Sequence, residues 1–83
     1  MQRISHHAFA DALDISEFMT AKGERINVLQ HWPGDDERAM FLREIHKGAC
    51  KIFGTVLGPE ANEAHKNHFH FDMAKRRFSA YCQ

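Results

Sequence analysis

The stretch His68-Phe69-His70-Phe71-Asp72-Met73 alternates strictly between polar and apolar side chains. A β-strand sends successive side chains to opposite faces, so His68, His70 and Asp72 share one face while Phe69, Phe71 and Met73 share the other. One side is core; the opposite side carries imidazoles and a carboxylate. The solvent side of a strand more often carries Thr, Lys or Glu. Histidines there mark a functional site or fall there by chance, and the strand alone leaves both readings open.

Working outward, Ala12 to Thr20 shows the same period, with Leu13 and Ile15 alternating with Asp14 and Ser16. Ala21-Lys22-Gly23-Glu24 reads as a turn in which Gly23 is free to take positive φ. Arg25 to Trp32 alternates again, with Ile26 and Val28 on one face, and the two runs together predict a β-hairpin. Pro33-Gly34 breaks the strand, and Asp35 or Asp36 can cap a helix running to about Phe53. Phe41, Ile45, Ala49 and Phe53 recur every four residues along it, flanked by Met40, Leu42 and Ile52, and predict its core-facing stripe. Gly48 costs the helix about 1 kcal/mol against Ala, and Gly54 offers a stop. Thr55-Val56-Leu57 is short and apolar, Glu60 to Lys66 reads as a polar or single helical turn, and His68 to Met73 is the last strand. Lys75-Arg76-Arg77 reads as a solvated basic tail. The expectation is an α+β fold: one domain over residues 1–83, with a small antiparallel sheet packed on one main helix.

Composition narrows the functional classes. The apolar share of 43% and charged share of 27% belong to an ordinary globular domain. Eleven basic residues balance eleven acidic ones, which argues against nucleic acid as a partner. No apolar run reaches the roughly 18 residues of a membrane-spanning helix, and Met1 to His7 lacks the apolar core of a signal peptide. Cys50 and Cys82 can pair in an oxidising compartment or remain separate thiols, and the sequence leaves both open. The seven dispersed histidines are the unusual feature, because histidine is the commonest metal ligand and the usual proton shuttle near neutral pH.

His7 is followed by Asp14 on the solvent side of the first strand. A His, an Asp and a second His supply the N/O donors of a catalytic zinc site, leaving a fourth position for water. On the blander reading Asp14 caps a backbone turn and His7 is a loop residue.

Ser5-His6-His7-Ala8-Phe9-Ala10-Asp11-Ala12-Leu13-Asp14 resembles the S-x-H-x-x-G-x-A-x-D motif of zinc D-alanyl-D-alanine peptidases and murein endopeptidases, and the later H-x-H resembles their second motif. The resemblance is closer to the bacterial extensin-like C-terminal domain family. It is carried by Phe41-Leu42-Arg43, Ala49-Cys50, Phe53-Gly54-Thr55-Val56-Leu57-Gly58-Pro59, Asn62, His65 and His68 to Asp72. The resemblance implies a peptidase-like zinc domain with His7, Asp14 and His70 as ligands. His65 and His68 would lie beside the metal as catalytic groups, with Ser5 near the mouth of the site. Asn67 stands three residues before His70, where such peptidases often carry an acidic base. An amide cannot accept that proton, so His65 or His68 would replace it. Asp72 is a candidate to fix an imidazole tautomer, or else a partner for Arg76. Trp32 is a candidate to line the cleft; Phe18 and Phe9 are expected in the core.

The expected activity is metal-dependent hydrolysis of amide bonds in peptidoglycan-type peptides, with a cell-wall peptide or glycopeptide as partner. The alternative is a non-catalytic cell-wall module that keeps the zinc site. By resemblance the location is periplasmic or extracellular, and the chain is similar to the C-terminal part of the family's domain, without its N-terminal part.

Overall fold

The computed structural model describes residues 12–73 and 81–83. Ser5, His7, Phe9 and the basic cluster Lys75-Arg76-Arg77 lie outside them. The chain runs β1 (Ala12–Ile15), β2 (Glu17–Met19), β3 (Arg25–Asn27), α1 (Val28–His31), α2 (Glu37–Ala49), β4 (Thr55–Leu57), a 3-10 turn (Glu63–His65), β5 (Phe69–Asp72) and β6 (Tyr81–Cys82).

The class is α+β, as expected, but the sheet is mixed rather than antiparallel. Its four strands are ordered β1-β5-β4-β6; β1 and β4 flank β5 antiparallel, and β6 joins β4 in parallel. β2 and β3 form a separate two-stranded sheet.

The expected hairpin is therefore two things. The run from Ala12 breaks at Ser16, whose carbonyl accepts a bond from the Val28 amide at 3.0 Å. β1 pairs with β5, while only β2 pairs with β3, across a turn in which Gly23 adopts φ +88°. The second run turns helical at Val28. Asn27 causes the change: its Oδ1 accepts from the Gln30 amide at 2.9 Å, and its own amide donates to His31 Nδ1 at 2.8 Å. Capping on both sides of Asn27 outweighs the β-like alternation. Ile26 and Val28 are nevertheless both buried.

α2 starts where expected, with Asp36 Oδ1 accepting from the Ala39 amide at 3.1 Å. That backbone hydrogen bond holds the Asp36 carboxyl below its ordinary pKa, against a smaller opposing effect of burial. The helix ends at Ala49, short of Phe53, because the chain tightens through Lys51 to Gly48 and Ile52 to Ala49 amide–carbonyl bonds. The buried stripe is also rotated from the expected one. Ala39, Leu42 and Ala49 are buried, Phe41 and Ile45 only partly, and Met40 and Ile52 are exposed. Phe53 reaches the core from beyond the helix, stacking on Phe71 at 5.1 Å between centroids.

The core gathers Ile15, Ile26, Val28, Leu42, Ala49, Val56, Phe69 and Phe71. Phe69 is its hub, with Phe18, Trp32, His46 and Phe71 rings between 5.6 and 6.1 Å from its own. Cys50 and Cys82 form a disulfide, with Cα atoms 5.7 Å apart, which ties the end of α2 to β6.

Candidate metal centre

The alternation of β5 aims His70 and Asp72 away from the core that Phe69 and Phe71 fill. β1 lies alongside in antiparallel register with Asp14 directly opposite His70. Partners in such register bring their side chains within reach of one another. His70 Nδ1 meets Asp14 Oδ1 at 2.8 Å, and His70 Nε2 meets Asp72 Oδ2 at 2.7 Å. Asp14 is largely exposed, whereas His70 and Asp72 side chains retain only 24% and 21% of their accessible surface. The imidazole is thus clamped between an exposed carboxylate and a largely buried one.

Burial alone would lower the His70 pKa, but the hydrogen bonds to Asp72 and Asp14 outweigh it and raise the value. In the metal-free protein the folded chain then binds this proton more tightly than the unfolded chain, whose histidines titrate near about 6.5. The resulting stabilisation is complete below that value and is lost as the pH rises through the raised folded value. His70→Gln is therefore expected to cost more stability at about pH 5.5 than at about pH 8.5, by urea unfolding in chelator. Equal losses at both ends would mean that the carboxylates do not retain the proton.

The 3-10 turn and the residues after it bring two further imidazoles to the cluster. The His65 ring lies 5.0 Å from that of His68 and 6.2 Å from that of His70. Burial lowers the His65 pKa, and the neighbouring His68 and His70 act in the same direction against a weaker pull from Asp14. His65 Nδ1 contacts Asn62 Oδ1 and His68 Nδ1 contacts Asn67 Oδ1, each at 2.8 Å. With the amides oriented this way the proton sits on each Nδ1, and each Nε2 keeps its lone pair. Asn67 cannot be a base, but it places its neighbour in the basic tautomer. The same role for Asn62 was not legible in the sequence, since an Asn three residues before a His is usually a turn residue. A depression of about 250 Å³ beside the cluster is lined by Asp14, Ser16, Asn67 and His68.

A larger groove of about 320 Å³ includes Lys66 in its lining. Trp32 lines it with Leu29, Pro33, Pro59, Glu60 and Lys66. The Trp32 indole N–H donates to Glu60 Oε2 at 3.3 Å, and the Arg43 guanidinium lies 5.5 Å from the indole centroid.

The donors at Asp14 and His70 fit zinc: an imidazole nitrogen and a carboxylate oxygen on adjacent strands, with a second carboxylate behind the imidazole, the usual outer partner of a metal-bound histidine. The third expected ligand, His7, and Ser5 lie outside the described residues. Among the described residues, the grouping of three that brings ligand atoms within 4.8 Å of one another is a different one, His46, Cys50 and Cys82. Its sulfurs are joined in the disulfide, so it offers no thiolate in this form. His46 went unnoticed in the sequence, although it occupies the buried stripe between Leu42 and Ala49.

These features define a small α+β domain with an imidazole–carboxylate cluster on the face of a mixed sheet opposite its aromatic core. The chain belongs to the extensin-like protein C-terminus family, whose pattern it matches over residues 1–83. No curated protein and no solved structure matches it. Among the described residues no helix is long and apolar enough to cross a membrane.

Proposed function

We propose that this is a zinc-binding, peptidase-like domain that hydrolyses amide bonds in cell-wall peptides. The observation that carries the reading is the Asp14–His70–Asp72 arrangement, two carboxylates on opposite ring nitrogens of one half-buried imidazole. Asp14 and His70 Nδ1 would hold the metal, with His7 as the third ligand, and Asp72 would keep the proton on His70 Nε2. Bound zinc supplies Lewis acidity toward a carbonyl and lowers the pKa of water. The chain's own residues do the rest. His68 Nε2, kept basic by Asn67, accepts a proton from the attacking water, and His65 Nε2 is placed to stabilise or relay charge beside it. The lowered pKa of His65 keeps its imidazole neutral at neutral pH. The groove along Trp32 and Lys66 holds the flanking part of the substrate. The likeness of the two histidine motifs to those of zinc D-alanyl-D-alanine peptidases supports this substrate class. The Cys50–Cys82 disulfide is compatible with a location outside the cytoplasm, where the substrate lies.

Asn67 favours a second reading, a cell-wall binding module that retains zinc without hydrolysis. Elemental analysis of wild type and His70→Ala, after chelation and repletion, tests the shared part. About one zinc per chain, lost in the variant, is expected; a folded wild type without zinc would sink the ligand assignment. Release of amine from peptidoglycan peptides separates the two readings. Activity in wild type that falls about 100-fold or more in His68→Ala supports the hydrolase. Activity that appears only in Asn67→Asp means that the native chain is the binding module.

A further inference from the structure

The His46–Cys50–Cys82 grouping lies outside the proposed catalytic cluster. His46 and Cys50 stand four residues apart at the end of α2, a spacing that puts both on one helix face. Cys82 comes to them from β6, held by its pairing with Val56 on β4. Ligand atoms of all three lie within 4.8 Å of one another. His46 Nε2 is buried without a well-formed hydrogen bond, the single such side-chain atom among the described residues, with the Gln83 carbonyl its nearby polar group. Buried polar atoms of this kind are uncommon in native folds, and each needs a reason. Trp32 and Phe69 pack on the ring at 5.6 and 5.9 Å, and Gly58 approaches so closely that a Cβ there would lie 3.1 Å from Nε2. The ring is therefore held mainly by packing, with the Gln83 backbone carbonyl as its polar neighbour. Burial lowers the His46 pKa, only partly offset by the nearby Gln83 carbonyl and Glu60, so the imidazole stays in the neutral, ligating form at neutral pH.

We propose that His46, Cys50 and Cys82 form a redox-gated metal site, closed in the disulfide form and able to bind a thiophilic divalent cation such as zinc once a dithiol has reduced the bond. Cys82 is exposed and Cys50 half-buried, so the first thiolate of the dithiol attacks the Cys82 sulfur and releases the Cys50 thiolate. The second thiolate of the reagent then displaces Cys82, leaving the reagent as a cyclic disulfide. Two electrons and two protons have passed to the protein, which holds two thiols. Cation binding expels those two protons and leaves two thiolates and a neutral imidazole as ligands, a soft donor set suited to zinc. Reoxidation removes the thiolates and ejects the metal.

Cobalt(II) titration of the full chain, oxidised and reduced under anaerobic conditions, tests this, because cobalt bound by thiolates shows a charge-transfer absorption that N/O ligands do not give. The Asp14–His70 centre contributes no such band, so the two sites read out separately. The reduced chain is expected to develop the band with one equivalent of cobalt and lose it on adding zinc, while the oxidised chain shows none. Loss of an outer partner alone weakens metal sites by about 10–100-fold, so reduced His46→Gln is expected to bind about 100-fold more weakly. No charge-transfer band in the reduced wild type would overturn the proposal. So would equal affinity in His46→Gln, which is how two thiolates on an unfolded chain would behave.

Discussion

Phe69→Ala is expected to cost about 3–5 kcal/mol, the range for emptying a fully buried aromatic position. Phe69 is completely buried, and four other rings pack around it, so the void has many walls and little freedom to collapse. A chain of this length has a total stability of only about 4–12 kcal/mol. The loss is comparable with the whole, and the melting temperature should fall by on the order of 20 °C. The effect on the cluster is indirect, because Phe69 stands between His68 and His70 in the chain. Thermal melts by near- and far-ultraviolet circular dichroism check it, with Phe69→Leu as the milder companion at about 1–2 kcal/mol. A loss below about 1 kcal/mol would mean that neighbouring rings fill the space and that Phe69 is not the hub of the core.

The second large effect belongs to the disulfide. Cys50 and Cys82 are separated by 32 residues, and closing a loop of that size restrains the unfolded chain by about 3–4 kcal/mol in the chain-entropy view. The Cys50→Ala/Cys82→Ala double variant should therefore lose about that much in urea unfolding. Part of the loss would fall locally. β6 is only two residues long and rests on Thr55–Tyr81 and Val56–Cys82 pairing, so without the covalent tie it should exchange its amide protons well before β1, β4 and β5. A double variant as stable as wild type would mean that the unfolded chain is already restrained by residual structure and gains nothing from the bond.

The α+β class and the two faces of β5 were legible in the sequence, the strand pairing was not, and the reason is the range over which each signal acts. The alternation from His68 to Met73 is local, and a period of two has one structural meaning, so the inward and outward faces of β5 emerged directly. Asp14 was legible for the same reason. That Asp14 would face His70 was not a matter of periodicity, because register is fixed by the pairing of strands distant in sequence. Asp72 stood undecided between Arg76 and an imidazole, and only the geometry of β5 brings it to His70 Nε2. The hairpin was misjudged where two patterns compete: Ile26 and Val28 alternate as in a strand, but Asn27 between them caps a helix. On α2 the four-residue recurrence from Phe41 pointed the helix along its large apolar side chains. The buried positions are instead Ala39, Leu42 and Ala49, one helical face rotated from that stripe. Cys82 offered almost nothing to read, since a two-residue strand carries no period and parallel pairing with β4 depends on a connection from elsewhere in the chain.

The alternation of β5 also determines which genetic changes the domain can absorb. A substitution at His70 or Asp72 alters the imidazole–carboxylate cluster and leaves the aromatic face in place, so a lineage can lose the proposed chemistry and keep its scaffold. A one-residue insertion or deletion within the strand exchanges the two faces, driving imidazoles inward and phenylalanines into water. Scaffold and chemistry then fail together. Variation inside β5 is consequently confined to replacement, while length variation is expected in the turn between Thr20 and Glu24, where no ladder is interrupted.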